Sequence, residues 1–445
     1  MLEPLKFYSE DEGLKFYLID CESGLMHLIV FPDNTVMLFD CNVTNKNEET
    51  IINFLDKHIP KRYDKINHIF YKAIDIFVNS HRDLDHLRGL KKINENFKIK
   101  SIWDSGQTGG NTDNDDYKYY MYLRRKLKEE NEKNLIVPVP SNIELCTIGE
   151  TKIFCLAAEE DFKEDYSNEI RQSAKIQHTN SMVLLLVYAN KKMLLTGDSD
   201  WKSWKEKIVP NFSKYSNNYE NTDILIASHH GSRSFFTDEM NEHIDEEVNP
   251  ETTYIKSIEL IKPIITLISC GDYEEYHHPN KEALNLYKKW TSGGQVYTTH
   301  ELGTICGIIT NDGNISVIPN RFYNSISKTH IGFDIICKSD TDGCSELVKN
   351  GESIPVGGKL KFEINSWGNI INEKDCISII WEVSNSGVDK DYEHQEIYYK
   401  GKEENDGKFK FSRDLSYKGT HLLRCKINNA NKAFSGTRVF VVKGV

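Results

Sequence analysis

A chain of 445 residues is long for one hydrophobic core, so two domains are the natural expectation. No apolar run approaches the length of a membrane span, and the opening "MLEPLKFYSEDEGLKFYLIDCE" lacks the basic-then-apolar design of a secretory leader, which points to a cytoplasmic protein without a membrane partner. A net charge of −12 argues against a broad, sequence-independent grip on nucleic acid, while leaving room for a local cleft in which bound cations supply the positive charge.

The chain opens with alternating segments, "LKFYLID", "LMHLIVF" and, past the turn "PDN", "TVMLFDC", which read as three strands. Residues 49 to 59, "ETIINFLDKHI", carry apolar positions at helical spacing. "AIDIFVNS" is a further strand that runs into "HRDLDH", with a helix predicted behind it in "LRGLKKINENF". A polar loop spans 107 to 116, and "YKYYMYLRRKLKEE" resumes a helix whose tyrosines are expected to pack rather than to stack on bases. "LIVPVP", "TKIFCLA", "SMVLLLVYA" and "KKMLLTGD" are short strands, some apolar throughout and so buried on both faces. Later helices such as "KEALNLYKKW" alternate with the strands "ITLISC" and "GTICGIIT". From about residue 320 the helical patterns fade, and strand-like segments separated by turn signals run to the end: a small β-sandwich of immunoglobulin-like kind. The boundary is expected between residues 318 and 332, giving domains over 1–320 and 331–445. The 10 cysteines are scattered without CxxC pairs, several inside strand-like runs, which fits reduced thiols better than a disulfide framework.

Five segments carry chemistry. "SHRDLDH" crowds His81, Asp83, Asp85 and His86 into six residues, a crowding that a divalent cation repays and a plain turn has no need of. "QHTNS" sets His178, Asn180 and Ser181 before a strand, and "LLTGD" puts Asp198 behind one. "ASHHGSR" brings His229, His230, Ser232 and Arg233, and "YHHPN" brings His277 and His278. In three of the five the polar cluster sits at the carboxyl end of a strand, where ends converge on one sheet edge. Asp40 and Cys41, behind the third strand, read as structural.

On these motifs the N-terminal 320 residues resemble the metallo-β-lactamase fold, whose hallmark is HxHxDH followed by distant His, Asp and His ligands, and within it the hydrolase domain of the ComEC DNA-uptake family. SHxDxDH, an Asn and Ser before a strand, LLTGD, HHGS, a late HP and the "YTTHELGTI" segment carry the likeness. The resemblance implies an αββα sandwich and two divalent metal ions, manganese or zinc with magnesium as an option. It places His81 and Asp83 on the first ion and Asp85 and His86 on the second, with Asp198 bridging and one or both of His229 and His230 completing the shell. His178 is expected beside the metals, and Asn180 and Ser181 on the substrate. His300 stands where the family more often has Asp and is left out of the site.

Physical chemistry points the same way. Two cations about 3.5–4 Å apart can activate water and stabilise both oxygens of a displacement at phosphorus. Asp83 in place of a histidine hardens the site and shifts preference from zinc towards manganese or magnesium. Ser232, Arg233 and His278 are candidates for phosphate contact or leaving-group protonation, and Asp85 and His278 are the expected catalytic pair.

In the last 110 or so residues, "IIWEVSNSG" and "YKGTHLLRCKINN" resemble the AGS-C sensor domain at the C-terminus of anti-phage nucleotidyltransferases and cyclases. The matching positions are Trp381, Asn385, Gly387, Gly419, Thr420 and His421, with Trp381 and His421–Cys425 also expected as core markers. An inert sandwich used for docking or oligomerisation is the competing reading. Together the two resemblances imply a metal-dependent phosphodiesterase or nuclease, DNA first among its substrates, acting in bacterial anti-phage defence beside a regulatory protein encoded with it. The alternatives are a cyclic-nucleotide phosphodiesterase, a catalytically silent metal-stabilised sensor or scaffold, and a lactone or thioester hydrolase.

Overall fold

The computed structural model describes residues 13–64, 68–107, 113–158, 177–212, 219–239, 243–271, 278–319, 333–341, 344–367, 377–386, 395–400, 410–416, 418–429 and 435–445. Gly13–Leu18, His27–Val30 and Val36–Phe39 pair antiparallel in chain order, as their alternation and the "PDN" turn predict. Ile74–Asn79 then joins Val36–Phe39 in parallel, and a parallel neighbour needs a crossover, which the helix Glu48–His58 supplies. With Ile99–Asp104, Leu135–Ile136, Ile305–Thr310 and Ile315–Pro319 these strands complete an 8-stranded sheet.

A second sheet of 7 strands holds Cys146–Ile148, Thr151–Ala157, Val183–Tyr188, Lys191–Leu195, Ile224–Ile226, Ile265–Ile268 and Gln295–Thr298 in chain order. Its first four strands pair antiparallel and the rest parallel. The wholly apolar run Val183–Tyr188 shows why both faces are covered. Leu184 and Leu186 point between the sheets, with Phe16, Ile29, Met37 and Val78 of the first sheet in the same cluster. Leu185, one residue out of phase, points the other way against Trp204, Ile258 and Tyr287. On the far side of the first sheet Tyr17, Leu28, Leu38 and Phe77 meet Ile51, Phe54, Tyr120 and Leu123 of the helices Glu48–His58 and Asp115–Glu130. The order of layers is therefore helix, sheet, sheet, helix, with each fully buried Leu or Phe contributing about 1.5–3 kcal/mol. In "YKYYMY", Tyr117 and Tyr120 are buried in this packing and Tyr122 is exposed.

Two smaller sheets follow. Phe333–Thr341, Cys344–Val348, Lys359–Trp367 and Lys410–Asp414 form one, and Ser353–Ile354, Ile377–Ser386, Gln395–Lys400, Gly419–Asn429 and Ser435–Gly444 the other. They enclose a core of Phe362, Trp381, Phe411, Leu423, Cys425 and Phe440. Trp381 pairs in register with Cys425 and stacks on Phe411 at 5.6 Å. His421 is buried on the same strand face as Leu423 and Cys425 and pairs with Val442 of that core, whereas its strand neighbour Leu422 faces the other way, into the core between the two large sheets. The expected boundary falls almost wholly on residues 320–332, outside the described residues, as do Gly387 and His277; of Asn385 the strand backbone is described but not the side chain. Among the described residues eight cysteines are free, seven of them buried. Among the described residues no helix is long and apolar enough to cross a membrane.

Candidate metal centre

The large sheets deliver the polar residues to one edge. Ile74–Asn79 ends at Ser80 and His81, Lys191–Leu195 runs into Thr196–Asp198, and Ile224–Ile226 runs into Ser228–Gly231. Behind His81 a short 3-10 turn, Leu84–His86, brings His86 back towards Asp198.

Asp198 lies at the middle. Its Oδ1 is 3.3 Å from His86 Nε2, and its Oδ2 is 3.7 Å from His81 Nε2, 3.6 Å from His229 Nε2 and 3.8 Å from His230 Nε2. Two groups could each hold a metal ion: His81, His178 and Asp198, and Asp85, His86 and His230. His230 Nε2 stands 3.5 Å from Asp85 Oδ2, so Asp85 and His230 face each other across the second group. Asp83 adjoins the first group: its Oδ2 is 3.0 Å from His178 Nε2 and 3.4 Å from His81 Nε2. His178, the least certain member on sequence grounds, thus lies in the cluster.

The imidazoles are oriented from behind. His86 Nδ1 donates to Asp40 Oδ2 at 2.8 Å, and His230 Nδ1 to the Ser269 carbonyl at 3.2 Å. His81 Nδ1 is 3.0 Å from Ser80 Oγ, whose own hydroxyl donates to Asp40 Oδ2 at 2.6 Å, so His81 must be the donor in that pair. Each Nδ1 therefore carries a proton, and each Nε2 is the atom turned inward, the arrangement a metal ligand needs once a cation displaces any proton there. Nε2 of His81, His86 and His230 and Oδ1 of Asp198 are buried and make no hydrogen bond. Buried polar atoms left without partners are costly, and these atoms, shared between the two groups around Asp198, are donors of the kind a divalent cation takes. The residues fit such ions.

Electrostatics without cations follows the same geometry. Burial would raise the Asp198 carboxyl, but the imidazoles around it, His86 first among them, hold it well below the ordinary range. Burial would lower His86, but Asp198, Asp40 and Asp85 hold it well above. Asp85 is likewise raised by burial and brought down on balance by His86 and His230. For His229 burial dominates and keeps the ring neutral against the pull of Asp198. The protons that settle the metal-free cluster are those that cations displace.

The local backbone is specialised. His229 and His230 both adopt left-handed φ, 47° and 56°, and Gly231 continues at 76°. Such a run is unfavourable for non-glycine residues and is held by surrounding bonds: His229 N–H donates to the Gly197 carbonyl at 3.1 Å and Ser232 N–H to the His229 carbonyl at 2.7 Å. Gly197 itself has φ 50°, and a Cβ there would lie 2.5 Å from Ser181 Oγ.

Three of the residues expected at the substrate are buried in the protein's own hydrogen bonds. Ser181 is fully buried and its hydroxyl accepts the Asp198 N–H at 3.0 Å; Asn180 is buried and its Oδ1 accepts from Lys207 Nζ at 3.1 Å. Ser181 thus braces the backbone of Asp198, and Asn180 pairs with Lys207. Ser232 is also buried, its hydroxyl capping the following turn by accepting the Ser234 N–H at 3.3 Å. Arg233 and His278 remain at the rim. The Arg233 guanidinium lies 3.9 Å from Glu282, and the half-buried His278 ring is centred 5.7 Å from His229 and 6.2 Å from His230. Asp40 acts beyond the structural role read from sequence, since it orients two imidazoles. Gln107 was not anticipated: it accepts the Arg82 N–H at 3.2 Å and donates to the Gln177 carbonyl at 2.7 Å, tying the loops of His81 and His178 together.

Comparison with known proteins adds three findings. Residues 315–443 match the Adenylyl/Guanylyl and SMODS C-terminal sensor domain family. A 157-residue stretch is 26% identical to ComE operon protein 3 of Bacillus subtilis (strain 168), covering 35% of this chain and 17% of that protein's length. The solved structure of Igni18, a novel metallo hydrolase from the hyperthermophilic archaeon Ignicoccus hospitalis, aligns over 68% of this chain and 98% of its own at 11% identity, with a TM-score of 0.35. The chain thus carries a sensor-type C-terminal segment behind a helix–sheet–sheet–helix unit in which histidines and aspartates are grouped as a divalent cation requires.

Proposed function

We propose that the chain is a metal-dependent hydrolase of metallo-β-lactamase type, acting on phosphodiesters, with a C-terminal unit that regulates it in bacterial anti-phage defence. The observation that carries this reading is the convergence of inward-facing, partnerless Nε2 atoms of His81, His86 and His230 on Asp198. His81, His178, Asp83 and Asp198 would hold one ion, and Asp85, His86, His230 and Asp198 the other, with His229 beside them. When bound, the ions supply an acidified water and positive charge at the phosphorus centre. Manganese is the first choice because the carboxylates Asp83, Asp85 and Asp198 make the set harder than an all-histidine one.

The chain's own residues do the rest. Asp40 and Ser80 fix the tautomers of His86 and His81, and Ser269 fixes that of His230. The HHG turn, held by Gly197, sets His229 and His230 on the open side of Asp198. In this reading His278, beside His229 and His230, would hand a proton to the leaving oxygen, and Arg233, near Glu282, would meet a phosphate oxygen. DNA is the preferred substrate class because the motifs resemble those of a DNA-uptake family's hydrolase domain, and the proposed domains are 1–320 and 331–445. A net charge of −12 favours, as the second reading, a small cyclic nucleotide that needs no extended basic surface.

The test is incubation with labelled single-stranded DNA, double-stranded DNA and cyclic nucleotides in the presence of manganese, magnesium or zinc, alongside Asp85→Ala. DNA cleavage that the variant lacks supports the nuclease; cleavage of cyclic nucleotides alone selects the second reading. Intact substrates under every condition, with the C-terminal ligand absent and present, would sink both.

A further inference from the structure

We propose that Thr420, Leu422 and Val441 form a docking surface whose partner is the Gly294–Thr298 segment of the same chain, and that this contact steadies the backbone that aims His230. The inference rests on the metal reading above only for the meaning of His230.

The hairpin Gly419–Asn429 with Ser435–Gly444 is two-faced, and its register shows how. Leu422 pairs with Val441, Leu423 with Phe440 and His421 with Val442. Leu423, Phe440 and Val442 fill the core of the small sheets, whereas Leu422 and Val441, one residue out of phase, enter the core between the two large sheets beside Tyr297 and Leu302. At the start of the hairpin the Thr420 hydroxyl donates to the Gly294 carbonyl at 3.3 Å and faces the Tyr297 phenol. Thr420 is 2% and His421 5% exposed, so these two sensor-pattern residues face protein and not solvent.

Gly294 leads directly into Gln295–Thr298, which pairs in parallel with Ile265–Ile268, Thr298 opposite Ile268. Immediately beyond both strands, the Thr299 hydroxyl accepts the Cys270 N–H at 2.9 Å and donates to the Cys270 carbonyl at 3.0 Å. The residue before Cys270 is Ser269, whose carbonyl takes the His230 Nδ1 proton and whose hydroxyl donates to the Gly24 carbonyl at 2.8 Å. From the hairpin to His230 the connection is two adjacent strands and a handful of buried hydrogen bonds. A shift of the small sheets that moves the hairpin therefore acts on the carbonyl that sets the His230 tautomer and angle.

The experiment uses the full chain. Thr420→Val removes the hydroxyl at nearly constant shape, Leu422→Ala with Val441→Ala loosens the apolar contact, and Glu346→Ala on an exposed strand is the control. Amide hydrogen exchange is measured in metal-free protein at 294–299 and 265–270, and manganese affinity by titration, with the near-ultraviolet signal of buried Trp381 reporting that the small sheets remain folded. Faster exchange in both segments, with one of two manganese sites weakened about 5- to 10-fold and the control unchanged, is expected. Faster exchange at 294–299 alone, with both manganese affinities unchanged, overturns the coupling, and unchanged exchange in both segments overturns the docking role. If the wild-type chain binds no manganese the metal reading fails, while the exchange pattern still decides whether the hairpin steadies Ser269.

Discussion

Asp40 holds His86 by a 2.8 Å hydrogen bond across 46 residues of sequence, and the same carboxylate oxygen receives the Ser80 hydroxyl that supports His81. One fully buried side chain, itself in a left-handed backbone conformation, thereby fixes two imidazoles that belong to different metal groups. Asp40→Asn puts an amide where two donors converge and leaves at least one of them without a full acceptor. Manganese affinity is expected to fall about 10- to 100-fold in Asp40→Asn, as measured by calorimetric titration. An unchanged affinity would show that the imidazoles are set by other contacts.

Gly197 allows the Asp198 loop to pass over Ser181 and Ser80. An added methyl at φ 50° would meet Ser181 Oγ at 2.5 Å and Ser80 Cβ at 2.8 Å. Neither neighbour is the end of a long flexible chain, so the backbone has to move. Gly197→Ala is expected to destabilise by about 1–3 kcal/mol in urea unfolding and to weaken metal binding with it. Wild-type stability in that variant would contradict the close packing described.

Cations should stabilise the fold, because they bind donors that exist as a cluster only when folded. Manganese at a hundred times its dissociation constant is expected to add about 2.7 kcal/mol, seen as a higher melting temperature, and chelation should remove the gain. Asp198→Asn should lose most of this increment, since Asp198 adjoins both groups.

His27 offers a pH prediction away from the cluster. It is fully buried in strand His27–Val30, edge-on to Phe16, and burial pushes its ring down to about 3. The neutral ring is tolerated inside and the charged one is not. The unfolded chain takes up a proton below about pH 6.5 while the folded chain does not, so this contribution is fully present above that pH and is lost as pH falls towards 3. The loss is about 1.4 kcal/mol for each unit below 6.5. Comparing urea midpoints at pH 7.5 and 5, His27→Phe should show a shallower decline than wild type; parallel declines would show that His27 does not titrate in this way.

His278 separates chemistry from binding. His278→Ala is expected to lower kcat about 10²- to 10⁴-fold with metal content unchanged. A parallel loss of metal would move His278 from the rim into the ligand set.

Much of this arrangement can be read from residues alone. Period-two alternation in "LKFYLID" and the uniform apolarity of "MVLLLVY" find their strands, and the clusters in "SHRDLDH", "TGD" and "SHHGS" stand at strand ends because a sheet edge gathers them. What escapes is whatever depends on a partner far along the chain. A single Asp in "LFDC" looks like a turn residue until His86 arrives beside it, and Gln107 has no local pattern at all. Asn180, Ser181 and Ser232 carry the right functional groups for a phosphate, and their hydrogen bonds to Lys207, the Asp198 N–H and the Ser234 N–H depend on a packing that the motifs do not spell out. Thr420 and His421 likewise read as a sensor motif, while the burial of Thr420 against Gly294 and of His421 on the face of Val442 follows from which side of the hairpin each residue occupies.

The most direct measurement is the number of metal ions bound per chain, taken together with the rate of phosphodiester cleavage as manganese is added back to metal-free protein. The account predicts two ions, with DNA or cyclic-nucleotide cleavage appearing only as the second site fills and vanishing in Asp198→Asn. A chain that cleaves phosphodiesters at full rate without metal, or that fills both sites and leaves every phosphodiester intact with and without a C-terminal ligand, would contradict it.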